Sequence, residues 1–301
     1  MSKESDEMRR DRQRDKAHRF LFEQADVRGE SVRLNAAFKE ILTIHEYAPG
    51  VRRLLGEMLA AAVLLRSTLK FDGKLILQAR SRGQIPLLMA ECTSDGDVRG
   101  IARGADQATA TGFEQLLGDG SLTITVDPIQ GQRYQGIVPL QGNSLAHCLD
   151  AYFEQSEQLG TRLWLAASDQ QASGLLLQQL PPDIIADPER REQFWEHACT
   201  LAETITPAEL LNLSTENVLH RLYHQDAVRL FKPSAVRFHC SCSKERTLRA
   251  LSAIDPAELE SILAEQGAVT MDCEFCNQQY THSREDLQAL LGNAEAQPVL
   301  H

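Results

Sequence analysis

The spacing of hydrophobic and polar positions changes period several times along the chain, and each change predicts an element. Over residues 50–66, Leu54, Met58, Ala61 and Leu65 recur at helical spacing, with Leu55, Leu59 and Ala62 beside them. So wide an apolar stripe belongs to a buried helix, with Arg52, Arg53 and Arg66 at its wet ends. The pattern then switches to period two. Residues 74–79, 85–91 and 97–102 predict a three-strand meander, broken at Arg82-Gly83 and Asp95-Gly96. Upstream, residues 18–35 read as two short strands around 26–29, and residues 36–46 as a first helix. Downstream, residues 113–117 form a short helix stopped by Gly118-Asp119-Gly120. Residues 121–126 alternate cleanly and end at Asp127-Pro128, and residues 133–139 are a further strand. Ser144 caps a helix through Glu157, and residues 162–167 and 174–180 pair as late strands.

Pro181-Pro182 marks a boundary, after which three helices carry clear start signals. Asp187-Pro188 opens one that buries Phe194, Ala198, Leu201 and Ile205, with Trp195, Cys199 and Ala202 alongside. Thr206-Pro207-Ala208-Glu209 is a capping box with proline at the first helical position. Ser214 starts a third helix with Val218, Leu219, Leu222 and Tyr223. This stretch is too apolar for a free linker and is expected to pack on the larger domain. Lys232-Pro233 marks a second boundary. The predicted class is α+β: a mixed-sheet domain over residues 1–180 with largely sequential strand neighbours, a helical linker region over 181–231, and a small cysteine-rich domain over 232–301.

Composition narrows the function. With 301 residues, two or three domains are expected. The net charge of −11 argues against coating nucleic acid or anionic lipid. The longest apolar run, Met58 to Leu65, is far short of the roughly 20 residues of a membrane span. Residues 1–20 hold seven basic and five acidic residues and no apolar core, so they read as a solvated or weakly helical tail rather than a secretory signal. A soluble, cytoplasmic protein is expected, whose cysteines stay reduced and form no disulfide scaffold.

Four of the seven cysteines form Cys240-Ser241-Cys242 and Cys273-Glu274-Phe275-Cys276, separated by 30 residues. Two close pairs of thiolates suit one tetrahedral zinc, Zn2+, held by Cys240, Cys242, Cys273 and Cys276. Between them, Ser243 and Asp255-Pro256 start two helices, and Gly267 stops the second. A unit this small has little core, so a metal would supply much of its folding free energy. Zinc thiolates are also the nucleophilic form of cysteine, and spacing alone leaves open whether the site is passive or an oxidation switch. Lys244, Arg246, Arg249, His239 and His282 lie near the knuckles and could offset the sulfur charge.

Other motifs read blandly. Ser67-Thr68-Leu69-Lys70 has the S-x-x-K form but no K-T-G partner, and is a chance match. His220 and His224 are at i, i+4 without a third ligand, and read as half-exposed residues beside Tyr223. His147, Cys148 and Asp150 are too close along one helix to face one another. Cys92, Cys148 and Cys199 are expected in the core. No phosphate-binding glycine loop is present, so there is no nucleotide site to argue for. From Lys232 onward there are six basic and ten acidic residues, against a nucleic-acid ribbon.

Taken together, the chain resembles the 33 kDa chaperonin (heat shock protein 33) family of bacterial redox-regulated holdases. The resemblance is carried by Thr68-Leu69-Lys70-Phe71-Asp72-Gly73, Gln132-Arg133-Tyr134-Gln135-Gly136, Tyr152-Phe153-Glu154-Gln155-Ser156-Glu157-Gln158 and Arg221-Leu222-Tyr223-His224. The two cysteine motifs, with Ser243-Lys244-Glu245-Arg246, complete it. It implies a non-enzymatic chaperone that is inactive when reduced and zinc-bound. On oxidation Cys273–Cys276 would form first and Cys240–Cys242 second, with zinc lost. The C-terminal domain and the helices before it would unfold, and a homodimer would hold unfolding client proteins without ATP, nucleic acid or membrane. The shorter C-x-C ring is also the more strained, which agrees with that order. Two other readings compete: a constitutive structural zinc ribbon that binds a partner or nucleic acid, and a C-x-x-C thiol oxidoreductase. The latter expects its motif at a helix start, whereas Asn277-Gln278-Gln279-Tyr280 reads as turn and strand.

Overall fold

A computed structural model describes residues 15–157 and 159–291. Residues 1–14 of the predicted tail, and Gln158, lie outside the described residues. Contacts divide the chain into two compact units, Met1–His239 and Cys240–His301.

The first unit is built on the helix that the widest apolar stripe predicts. α2 (Pro49–Thr68) follows α1 (Ala36–Ile44). Pro49 opens α2, where its missing N–H costs nothing, and every residue from Met58 to Arg66 is buried. Gly56 lets strands approach closely: a Cβ there would lie 2.7 Å from the Ala167 Cβ. Two six-stranded sheets enclose this helix. One runs β10 (Val228–Leu230), β1 (Lys16–Phe22), β2 (Val27–Leu34), β9 (Ala172–Gln179), β8 (Thr161–Ala167), with β11 (Ser234–Ala235) also on β1. The other runs β12 (Arg237–Phe238), β5 (Asp97–Arg103), β4 (Leu87–Thr93), β3 (Gly73–Ser81), β6 (Gly120–Pro128), β7 (Tyr134–Pro139). Short helix α3 (Phe113–Leu117) precedes β6, and α4 (Leu145–Tyr152) continues as a π-helical turn, Phe153–Glu157.

The α+β class is as predicted, and among the described strands only β12 with β5 is parallel. Several details differ. The chain is already strand from Lys16, and Phe20 is fully buried, so the tail ends earlier than expected. β6 continues through Asp127-Pro128 because β3 pairs with it as far as Gly73↔Pro128, at the strand end where proline loses least. Sequential pairing holds within hairpins only; the sheets are completed by the long-range pairs β2–β9, β3–β6 and β1–β10.

Helices α5 (Pro188–Glu203), α6 (Pro207–Asn212) and α7 (Thr215–Tyr223) start at the predicted caps, and the capping box at Thr206 and Glu209 is present. They cover the outer face of the first sheet. Phe20, Phe22, Leu175 and Leu177 cluster there with Trp195, Ala198, Leu219 and Tyr223, while Val32, Leu34 and Leu176 point to α2. β9 is buried on both faces, which explains its unbroken apolar run. The buried face of α5 is rotated from the expectation: Trp195, Ala198, Cys199 and Ala202 are buried, while Phe194 and Leu201 are only partly so. After Lys232-Pro233, β11 and β12 return to the two sheets and carry the first unit to His239.

The second unit holds α8 (Lys244–Leu251), α9 (Pro256–Gln266), hairpin β13 (Val269–Asp272) and β14 (Gln279–His282), and α10 (Arg284–Leu291). Gly267 ends α9 in the left-handed conformation, φ 76°. Among the described residues its buried core is Leu251, Leu259, Leu263, Val269 and Leu287. No described helix of the protein is long and apolar enough to cross a membrane.

Candidate metal and thiol centre

The two cysteine motifs reach one point by different local means. Cys240-Ser241-Cys242 is an extended segment ahead of α8, whose N-cap Ser243 accepts the Arg246 N–H. Arg246 reaches back and donates through Nη1 to the Ser241 carbonyl at 2.8 Å, bracing the loop between its cysteines. Cys273-Glu274-Phe275-Cys276 is the tip of the β13–β14 hairpin. The Cys273 carbonyl accepts N–H groups from Cys276 (3.2 Å) and Asn277 (2.7 Å), and Cys273 N–H donates to Gln278 O. Asn277 turns the chain at φ 56°, a conformation that asparagine tolerates better than most residues.

The four sulfurs all lie within 4.8 Å of one another. Cys240 and Cys273 Sγ are 3.6 Å apart, and Cys242 and Cys276 Sγ are 3.4 Å apart. A tetrahedron with metal–sulfur bonds of about 2.3 Å has edges of about 3.8 Å. The donor set and spacing therefore fit a single tetrahedral metal ion, and this is the one such cluster among the described residues. All four cysteines are unbridged and half-buried.

Their surroundings are uneven. Burial pushes the Cys242 thiol up, but the Tyr280 hydroxyl, which donates to its sulfur at 3.1 Å, and the neighbouring thiols outweigh this and bring it below the ordinary value. Burial raises Cys273 and Cys276. Holding that hydrogen bond keeps the Tyr280 phenol protonated up to about 12. Tyr280 escaped sequence reading because a hairpin tyrosine carries no signal until the strand register is known.

The expected cationic screen is otherwise engaged. Lys244 donates to Asp286 at 2.7 Å, which together with the Ser283 N–H holds that carboxyl down at about 2. Arg246 is committed to Ser241. His282 is fully buried, with Nε2 2.9 Å from Thr247 Oγ1, and burial lowers its pKa. His239 belongs to the first unit.

The remaining candidates stay apart. Cys92, Cys148 and Cys199 are buried, and desolvation pushes Cys92 and Cys199 up to about 12, so they are inert thiols. His220 and His224 stack at 5.9 Å, both exposed, and belong to no metal cluster among the described residues. Ser67 Oγ donates to Val63 O within α2. Cys148 Sγ donates to Gln141 O, while Asp150 accepts the Leu163 N–H, so the two serve different contacts.

One structural residue reads in the sequence as an ordinary turn residue. Asp26, in the β1–β2 turn, is buried and accepts N–H groups from Asp183 (3.1 Å), Ile184 (2.8 Å) and Ile185 (3.0 Å), with Arg191 3.7 Å away. It pins the start of the helical stretch to the first sheet. Arg33 holds the α6–α7 junction, donating to the Leu211 and Leu213 carbonyls.

Comparison with known proteins places the chain. The model of the family described as Hsp33 protein matches residues 15–283. The 33 kDa chaperonin of Pseudomonas paraeruginosa is 54% identical over 286 residues, covering 94% of this chain and 96% of that protein. That of Azotobacter vinelandii is 55% identical over 279 residues, covering 92% and 94%. The crystal structure of the 33 kDa chaperonin (heat shock protein 33 homolog) from Thermotoga maritima superposes with a TM-score of 0.79 at 23% identity, over 95% of this chain and all of that one.

Proposed function

The chain belongs to the Hsp33 protein family, and on that premise we propose that it is a redox-regulated, ATP-independent holdase, not an enzyme, acting in the cytoplasm. In this reading residues 1–180 are the chaperone core, 181–231 the helical linker, and 232–301 the C-terminal region that carries the switch, whose own compact unit begins at Cys240. The observation that carries the reading is the meeting of four unbridged sulfurs in a unit whose described core is five residues.

In the reduced protein Cys240, Cys242, Cys273 and Cys276 would hold one zinc. When bound, the metal keeps the four sulfurs as thiolates and ties α8 to the hairpin. Oxidation of Cys273 and Cys276 forms one S–S bond; the two thiolates give two electrons to peroxide, which takes two protons from solvent and leaves as two waters. Oxidation of Cys240 and Cys242 repeats the balance. Each disulfide withdraws two ligands, so the metal is released and the small core is left alone to hold the unit.

The linker supplies what a holdase exposes. Undocking α5–α7 would uncover Trp195, Leu219 and Leu222 on the helices and Phe20, Phe22, Leu175 and Leu177 on the sheet. Unfolding clients bind such surface without a nucleotide, and a homodimer would be the active form.

The test is zinc content and suppression of client aggregation before and after peroxide. The expected result is about one zinc and little holdase activity when reduced, and no zinc with strong activity when oxidised. Full activity in the reduced, zinc-loaded protein would identify a constitutive chaperone instead.

A further inference from the structure

Within the first unit, beside the C-terminal end of α2, lies a cavity of about 430 Å3 that the redox reading does not use. This is within the range of small-molecule sites, roughly 300–1,000 Å3. Both large sheets and the end of α2 contribute its walls, among them Leu65, Leu69, Leu75, Ile124 and Val126. The π-helical turn closes it with Phe153 and Ser156; such turns are rare and concentrate at functional sites. Ser156 and Tyr134 are exposed and mark its open side.

Among the described residues that line the cavity one is charged, Arg28. Its guanidinium is fixed by neutral groups only: Nε donates to Gln178 Oε1 at 3.0 Å and Nη2 to the Thr68 carbonyl at 3.1 Å. Gln178 is itself oriented, since its Nε2 donates to Thr161 Oγ1 at 3.0 Å, which turns its oxygen toward Arg28. The neighbouring carboxylate, Glu30, is taken by Arg19 at 2.9 Å. Among the described residues no carboxylate pairs with Arg28, and no hydrogen bond uses its Nη1. Capping the end of α2 through Thr68 accounts for one face of the guanidinium and leaves a donor over. Desolvation lowers the pKa of Arg28, and the nearby Glu30 carboxylate, hydrogen-bonded to Arg19, only partly opposes it.

The geometry points to a binding site for a monoanionic amphiphile, a medium-chain carboxylate whose head pairs with Arg28 and whose tail lies against the leucines and Phe153. A cation held flat by neutral partners in an apolar cavity selects for one negative charge on an apolar body. A neutral chain of equal length would lose the charge-assisted bond and keep only the tail contacts.

The probe is octanoate, with 1-octanol as its neutral counterpart, titrated calorimetrically into the full-length reduced, zinc-loaded protein. Octanoate is expected to bind once per chain and at least about tenfold more tightly than octanol. Arg28→Met should remove that preference, and Arg28→Lys should restore part of it. Ser156→Trp alters an exposed position, so the fold should survive, and it should block both ligands. Equal affinity for octanoate and octanol, or octanoate binding unchanged in Ser156→Trp, would overturn the assignment even where Arg28→Met fails to fold.

Discussion

The two compact units are stabilised in different ways. In the first, α2 is buried along its whole middle, and two six-stranded sheets supply apolar partners on every side. In the second, the described buried core is Leu251, Leu259, Leu263, Val269 and Leu287, and the cysteine loop at the hairpin tip is held by backbone hydrogen bonds of its own. A leucine or valine fully buried contributes about 1.5–3 kcal/mol, so five of them roughly offset the ordering of only a handful of residues. On the proposed reading the second unit would depend on its sulfurs being tied together, whereas the first has an extensive core of its own. A thiol switch belongs in the unit with the least reserve. The helices α5–α7 are intermediate: well capped, yet docked on one sheet face through one cluster.

The sharpest way to break this contrast is Cys273→Ser. Zinc per chain should fall to near zero, and hydrogen exchange over residues 240–291 should become fast, while the melting of the first unit stays unchanged. Protection persisting in a metal-free second unit would show that its small core suffices.

A second test sets the linker against the core. Trp195 is buried in the cluster on the first sheet, so Trp195→Ala should cost about 3–5 kcal/mol. Exchange protection over residues 188–223 should drop, and the reduced variant should suppress aggregation without oxidant. Loss of protection across β3–β6 as well would mean that linker and core unfold as one.

Asp26→Asn should have a smaller effect, about 1–3 kcal/mol. Burial alone would raise the Asp26 carboxyl, but three backbone N–H groups and Arg191 lower it below the usual range. A depressed folded pKa gives stability that is present above the unfolded value, about 3.9, and lost as pH falls through the folded one. Linker protection in the parent should therefore decline in acid, and the Asn variant should lack that component.

The smallest effect is expected at Glu57. With Trp164 and Leu210 it lines a cavity of about 250 Å3 beneath α6. Burial raises its carboxyl to about 7, only partly opposed by Arg53. Here the sign is opposite: the protonated form favours the fold, so stability is lost as pH rises from the unfolded value through about 7. Glu57→Gln should raise the melting temperature at pH 8 by the equivalent of about 1 kcal/mol and leave it unchanged at pH 4. Equal shifts at both pH values would assign the gain to packing.

Local signals carried far in this protein. Caps at Ser144, Asp187, Thr206, Ser214, Ser243 and Asp255, and the stop at Gly267, are all where the sequence places them, because a cap depends on residues within one turn of it. The same is true of the hairpins and of the paired cysteine spacing, which together with the motif resemblance points to the family. The π-helical end of α4, the rotated face of α5 and the return of β11 and β12 to the two sheets were not legible, because each depends on what lies across the sheet. Asp26 serving three amide groups more than 150 residues away, Tyr280 bonded to Cys242, and Arg28 held by Gln178 in an apolar cavity are likewise contacts between distant segments. Periodicity and caps are short-range and sit in the sequence itself; counter-charges, hydrogen-bond partners and cavities exist only once strands far apart in the chain have chosen their register.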